Sequence, residues 1–477
     1  MFYITLDRDK PISIAIQIYS FIREGILNET LQQGEKLPST RELAKYLNVA
    51  RNGVIESYEQ LIAEGYVYTK NGSGTYVSDG IRFERTAVNH YVKEQRAIKS
   101  QTNEDIISFR TGIPDLASIP IKKWGKIYKE ITLSVLPLHM DYQSSNGQYE
   151  LRYQLSNYLR RVRGVNTKPE NILITNGAAQ AFSLLCQLVS SDGYALVENP
   201  LSYGILHTLE SNKVRIQAIP IDEFGMMTSE LPGVSPQLIF TTPSHQFPIG
   251  AILPIKRRIE MIQYARKHNT YIVEDDYDSE FRFDGNPIQS MQSLDPTRVI
   301  YVGTFSKTFI PSLRMGYMVL PDDLCAQMEE AKYSADLHSP ILEQLSMAKF
   351  IENGFFDLHI RKMRKIYLKR RNHLIKCLKE SFKDAVTISG AEVGMHLIAT
   401  FKDIHFDKSL MQKLEDHDLQ VIPTSKHYLF DENNMGIKYT YNNSLIFGYG
   451  NTNLVSIEVG IKRLHSVLSY LLFEPCT

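Results

Sequence analysis

Residues 301–317 read YVGTFSKTFIPSLRMGY. The apolar run at 299–302 suits a strand buried inside a layered sheet. Directly beyond it come Thr304, Ser306 and Lys307, with Arg314 seven residues further on. A lone lysine after a strand is usually no more than a solvated helix start. Its meaning depends on what the other strand ends bring beside it.

Working outward, further strand patterns fall at 172–175, 195–198, 238–241 and 271–274, most of them separated by longer amphipathic helical stretches. That alternation predicts an α/β domain with a mainly parallel sheet from residue 106 to 477, with a smaller C-terminal α+β lobe from about 345. In such sheets, ligands gather at the carboxyl ends of strands. After ILIT stands Asn176-Gly-Ala-Ala-Gln180, small residues that open a helix whose first N–H groups suit a phosphate. After TYIVE stand Asp275, Asp276, Tyr277 and Asp278. Alone, that acidic run would serve equally as a metal site or a charged turn. A phosphate cradle, a strand-end carboxylate and a strand-end lysine in one domain are the parts that hold pyridoxal 5'-phosphate. There a lysine forms an imine with the aldehyde and an aspartate pairs with the pyridine nitrogen. A neighbouring arginine eases loss of the lysine proton. No metal is expected.

The first 79 residues have a different character. Ile14, Ile18, Phe21 and Ile22 recur at helical spacing; LPSTRELAKYL opens a second helix with Ser39 and Glu42 placed as a capping box. Val54, Tyr58, Leu61 and Ile62 share a face of a third, which Gly65 ends. YVYTKNGSGTYVS then alternates about Asn71-Gly72-Ser73-Gly74, a hairpin signature. Three helices and a hairpin predict a winged helix-turn-helix. Arg51 and Asn52 head its third helix, where base edges are read, while Arg41, Lys70 and Gly72 fall on the edge facing phosphates. The module has eight Lys/Arg against ten Asp/Glu in residues 1–80, so a protein-binding winged helix is the competing reading. Double-stranded promoter DNA is preferred, because the cations cluster on the expected contact edge. A module this weakly charged gains from a second copy, which favours a dimer.

Between the two regions, residues 80–105 are polar and poorly periodic and read as a linker. The formal net charge of zero points to no polyanionic partner for the chain as a whole. Four widely spaced cysteines form neither a zinc pattern nor a disulfide framework. With acids in its first ten residues and no long apolar run, the chain is expected to be cytoplasmic, with no membrane association.

With these motifs in hand, the sequence resembles the MocR-type, GabR-like branch of the GntR superfamily. There a winged helix-turn-helix is fused to a fold-type-I aminotransferase-like domain. LPSTRELA, GSGTYV, DYQSSNGQYELR, TNGAAQA, TTPSHQFPIG, EDDYDSEF and GTFSKTFIPSLRMGY carry the resemblance. It implies Lys307 as the Schiff-base lysine, Asp275 on the pyridine nitrogen and Tyr277 on the phenolic oxygen. Ala178, Ala179, Thr304, Ser306 and Arg314 would hold the phosphate. It also implies a head-to-tail, domain-swapped homodimer that senses a small amine effector, or pyridoxal phosphate itself, and so regulates transcription.

The chain departs from the family pattern at three places. Ser202 stands where a ring-stacking tyrosine is usual, leaving Tyr203, one residue later, as the substitute. Phe247 replaces an asparagine near the cofactor oxygen, with Gln246 or His245 beside it. Asn451 replaces the arginine that grips an effector carboxylate, and an amide offers no charged fork. Asn451 thus marks the expected effector site and argues against a simple amino-acid effector. The competing expectations are an active aminotransferase with an accessory N-terminal domain and a DNA-binding scaffold with a dead cofactor fold.

Overall fold

The computed structural model describes residue 4 and residues 6–8, 11–80, 105–283, 288–429 and 442–473. The chain divides into two compact units, Met1–Gln101 and Thr102–Thr477. Nearly all of the expected linker, and Cys476, lie outside the described residues. Cys186, Cys325 and Cys377 are free thiols.

In the first unit, α1 (Ile14–Leu27) starts on Ser13, whose hydroxyl accepts from the Ile16 N–H, and buries Ile18, Ile22 and Ile26. Phe21 falls at the margin of that stripe, 38% exposed. α2 (Thr40–Leu47) carries the expected capping box. The Glu42 N–H donates to the Ser39 hydroxyl (3.3 Å) and the Ser39 N–H to the Glu42 carboxylate (2.9 Å). α3 (Arg51–Ala63) buries Val54, Tyr58 and Leu61 against it, while Ile62 turns toward solvent. The Ser57 hydroxyl donates to the Ala15 carbonyl (2.7 Å) and Tyr58 to that of Pro38 (2.8 Å), fixing the helices' mutual angle. β1 (Val67–Lys70) and β2 (Gly74–Val77) pair antiparallel as the wing, with Gly72 at a φ of 74° in the turn.

The second unit starts with the short strand β3 (Ile107–Ser108), then α4 (Ile121–Ser134) and α5 (Tyr149–Arg163). Its main sheet follows: β4 (Ile172–Thr175), β5 (Ala195–Asn199), β6 (Ile216–Asp222), β7 (Gly225–Met226), β8 (Leu238–Thr241), β9 (Tyr271–Asp276), β10 (Val299–Thr304) and β11 (Gly316–Val319). Interleaved are α6 (Ala178–Leu185), α7 (Tyr203–Ser211) and α8 (Ile255–His268); α9 (Cys325–Asp336), α10 (Ile341–Glu352) and α11 (Phe355–Phe382) come after. The strand order is β4-β11-β10-β9-β8-β5-β6-β7, parallel from β10 through β6, with β11 antiparallel to both its neighbours and β7 antiparallel to β6. The strands are apolar on both faces because both are covered. Val273, Ile300 and Val302 join the layer of α6, α7 and α9, whereas Ile272 and Val299 meet α8 on the other side.

β11 was absent from the sequence reading. Its run GYMV follows the Lys307 loop so closely that it reads as part of it. β6 escaped for another reason: its strand is interrupted by Pro220 and half exposed.

Beyond α11 lies a four-stranded antiparallel sheet of β12 (Val386–Ser389), β13 (His396–Phe401), β15 (Ile422–Pro423) and β16 (Ser444–Gly448), in the order β12-β13-β16-β15. The short β14 (Leu419–Gln420) pairs parallel with β3 instead. Among the described residues, no helix is long and apolar enough to cross a membrane.

Candidate cofactor site and DNA interface

A cavity of about 240 Å³ opens at the carboxyl ends of β4, β9 and β10. Pairing of Val302 with Asp275 sets the β9 carboxylate beside the end of β10, and Lys307 follows three residues after that strand stops. Ala178, Ala179, Asp275, Tyr277, Thr304 and Lys307 all line this cavity, so the three strand ends picked out in sequence do converge.

Lys307 Nζ donates to the Gly112 carbonyl (2.9 Å). Burial lowers its pKa, and Arg314 adds to the effect while Asp278 and Asp275 oppose it. The expected easing of proton loss by the arginine is present, with desolvation the larger cause. Gly112 has a φ of +75°, and a Cβ there would run into the lysine amine. Asp275 has its carboxyl pushed up to about 8, first by burial and then by Asp276, against the pull of Lys307. The Tyr277 hydroxyl donates to the His245 carbonyl (3.0 Å) and lies 3.0 Å from His245 Nδ1, which meets Asp278 Oδ1 at 2.9 Å.

At the other end of the cavity, Gly177 caps α6 with a φ of 84°, and the guanidinium of Arg314 lies against it. The N–H groups of Ala178 and Ala179, in the first turn, precede any acceptor within the helix. A Lys332–Asp336 ion pair, its lysine fully buried, holds this helix start: Asp336 accepts from Asn176 Nδ2 (2.6 Å) and Gln180 Nε2 (2.8 Å). Nothing in the sequence flagged that pair, because a Lys-x-x-x-Asp spacing on a helix looks like any surface salt bridge. The Thr304 hydroxyl accepts from the Ser306 N–H (3.1 Å), while Ser306 Oγ is buried without a partner.

Five sequence assignments do not line the cavity: Ser306 and Arg314 stand beside it, next to Thr304 and Gly177, and three others lie away from it. Tyr203 is 62% exposed and stacks on His207, since it occupies the outward face of the first turn of α7; Ser202 and Gly204 line the cavity instead. Gln246 is buried away from it, its amide donating to the Pro200 and Phe247 carbonyls (both 2.8 Å). Asn451 is exposed and accepts from the Leu116 N–H at 3.4 Å. Conversely, Thr111, Gly112, Met395 and His396 line the cavity unforeseen. His396 heads β13, and burial drives its pKa well below the usual histidine value. The only cue in sequence was a histidine at the start of an apolar run.

These residues fit a phosphorylated pyridine aldehyde. The orphaned Ser306 hydroxyl, the helix start and Arg314 suit its phosphate. Asp275 suits the ring nitrogen, and Lys307, whose ammonium form burial disfavours, the aldehyde.

In the first unit, Arg41, Arg51, Asn52 and Lys70 are all exposed. Arg51 leads α3 and donates through Nε to Thr40 Oγ1 (3.3 Å). The Lys70 ammonium lies 5.2 Å from the centroid of Tyr76 and 5.7 Å from that of Tyr68, which steadies it beside the wing turn that holds Gly72.

A winged helix-turn-helix joined to an aminotransferase fold defines a class of bacterial regulators, and comparison with known proteins agrees. Residues 14–77 match "Bacterial regulatory proteins, gntR family", and residues 104–436 match "Aminotransferase class I and II", a pyridoxal phosphate-dependent family. The chain is 33% identical to the HTH-type transcriptional regulator YhdI of Bacillus subtilis, over 98% of each protein. It is 31% identical to the probable rhizopine catabolism regulatory protein MocR of Rhizobium meliloti, covering 97% of this chain and 95% of that one. Among solved structures, the kynurenine aminotransferase of Pyrococcus horikoshii superposes with a TM-score of 0.70 at 27% identity. That match spans 78% of this chain and 92% of the enzyme. The chain belongs to the MocR-type branch of the gntR family, the transcriptional regulators that carry an aminotransferase domain.

Proposed function

We propose that this regulator holds pyridoxal 5'-phosphate on Lys307 and uses the same cavity to sense an amine, or the cofactor itself, and thereby alters its grip on promoter DNA. The observation that carries the reading is the meeting of a half-buried lysine, a strand-end carboxylate and a helix start in one cavity. Bound there, pyridoxal phosphate supplies an aldehyde that reacts with amines and a ring that draws electrons toward its nitrogen.

The rest is the work of the chain. Burial keeps Lys307 nearer its neutral form, which is the nucleophilic one. Asp275 accepts a proton readily while the site lacks a cation and pairs with one when the ring nitrogen carries it. His245 and Asp278 fix the direction of the Tyr277 hydroxyl. The N–H groups of Ala178 and Ala179, with Arg314, bind phosphate through the positive end of α6.

Phe247, Met395 and neutral His396 form much of the remaining wall. With Asn451 outside it, that wall supports recognition by amine chemistry and apolar contact rather than by a carboxylate fork. An effector need only bind two states of the protein unequally to switch it. The exposed apolar residues Leu133, Leu136, Leu138, Met140 and Tyr142 support a homodimer, since a monomer rarely leaves so many large apolar side chains of one short segment to water.

The test is an absorption spectrum of the full-length protein with added pyridoxal phosphate. The wild type acquires a visible band, and borohydride reduction attaches the cofactor to the peptide containing Lys307. Lys307→Ala acquires neither. Titrated amines then shift the band without sustained turnover, whereas multiple turnover with a keto acid would make the protein a working aminotransferase. A wild type that stays colourless ends the proposal.

A further inference from the structure

A second cavity in the same unit, of about 410 Å³, lies between α5, α11 and the segment that leaves β9. It is rich in arginine, and the charges do not cancel. Arg161 is paired with Asp357 (2.9 Å) and Arg163 with Asp276 (2.6 Å). Three more guanidinium groups line it without an acidic partner among the described residues. Arg364 donates through Nε and Nη2 to the Glu280 carbonyl (3.2 and 2.8 Å), and Arg361 through Nε to that of Asp357 (3.3 Å). Arg282 has both Nε and Nη1 buried with no acceptor.

Unmet hydrogen-bonding capacity surrounds these charges. Ser279 Oγ, which also lines the cavity, is buried and unpartnered. A buried donor without an acceptor costs on the order of 1–3 kcal/mol, and more when it is charged. Several in one cavity therefore indicate an acceptor brought from outside. Glu280 meets Arg364 through its backbone carbonyl and not its side chain, and burial first, then Asp276, push its carboxyl up to about 8, which disfavours the charged form.

We propose that this cavity binds the phosphate group of a small phosphorylated molecule. Phosphate brings two negative charges and three acceptor oxygens, which match the fork of Arg282 and the adjacent arginines. The volume exceeds what a phosphate alone fills and lies in the range of small-molecule pockets, leaving room for a short organic body. Neither the Lys307 cavity nor its occupant enters this inference.

Calorimetry on the full-length protein tests it, with glycerol 3-phosphate and inorganic phosphate as probes and glycerol as the control. The wild type is expected to bind glycerol 3-phosphate saturably and glycerol not at all. Arg282→Gln is expected to weaken binding at least about tenfold, while Arg314→Gln, at the phosphate end of the other cavity, leaves it unchanged. Should Arg282→Gln fail to fold by circular dichroism, Arg361→Gln on the outer surface of α11 replaces it, with loss of affinity again expected. Equal affinity for inorganic phosphate would identify the free ion as the ligand. Absence of saturable binding overturns the proposal, as does binding lost in Arg314→Gln but kept in the α11 and Arg282 variants. Displacement of the probe by duplex DNA also overturns it, because the site would then serve a polymer.

Discussion

The two units keep their chemistry in opposite places. In the first, Arg41, Arg51, Asn52 and Lys70 stand in water on a core they do not help to build. In the second, Asp275, Tyr277 and Lys307 sit among buried neighbours, and the same carboxylates and hydroxyls that shape the site also bear on folding. A surface site costs little stability and draws its strength from geometry and repetition. A buried site carries its own desolvation, and the fold must compensate elsewhere.

The largest effect that would sharpen this contrast belongs to Asp275. Its folded pKa of about 8 lies above the ordinary 3.8, so between those values the folded protein holds more protons than the unfolded one. Stability of the cofactor-free protein therefore falls as pH rises through that window. Asp275→Asn abolishes this titration, so its unfolding free energy should exceed that of the wild type by a margin that grows from about pH 5 to about pH 8, on the order of a few kcal/mol at the upper end and read by denaturant melts. The same variant should bind pyridoxal phosphate more weakly. A stability margin independent of pH would break the comparison.

Arg51→Ala should behave the opposite way. Its affinity for promoter DNA in gel shifts is expected to drop by about 1–3 kcal/mol, with stability within about 0.5 kcal/mol of wild type. Unchanged DNA binding would remove α3 as the reading helix. The smallest effect comes from Ser39→Ala, which removes the hydroxyl half of the capping box at α2. Chemical denaturation should register a loss of about 1 kcal/mol in the first unit, with no change in cofactor binding by the second.

The same contrast explains what could be read in advance. The first unit was legible almost residue by residue, because caps, turn glycines and helical spacing are local signals. So were β4, β8, β9 and β10, whose double-sided burial forces unbroken apolar runs, and the strand-end residues Ala178, Asp275 and Lys307. What failed was long-range. Whether Tyr203 or Ser202 faces the cavity depends on the phase in which α7 begins, one residue deciding it. Gln246 satisfies carbonyls rather than the cavity, and Asn451 stands outside the wall, facts set by tertiary packing alone. Gly112 and His396 come from before and after the main sheet in the chain and join Lys307 in one cavity only through the fold.

One strand lies between the Lys307 cavity and the arginine-lined one. Along β9, residues 273 and 275 look one way and 272, 274 and 276 the other, so Asp275 serves one chamber while Asp276 anchors Arg163 beside the other. Neither chamber can be redesigned alone: inserting or deleting a single residue in this stretch would exchange their walls, handing each the side chains meant for its neighbour.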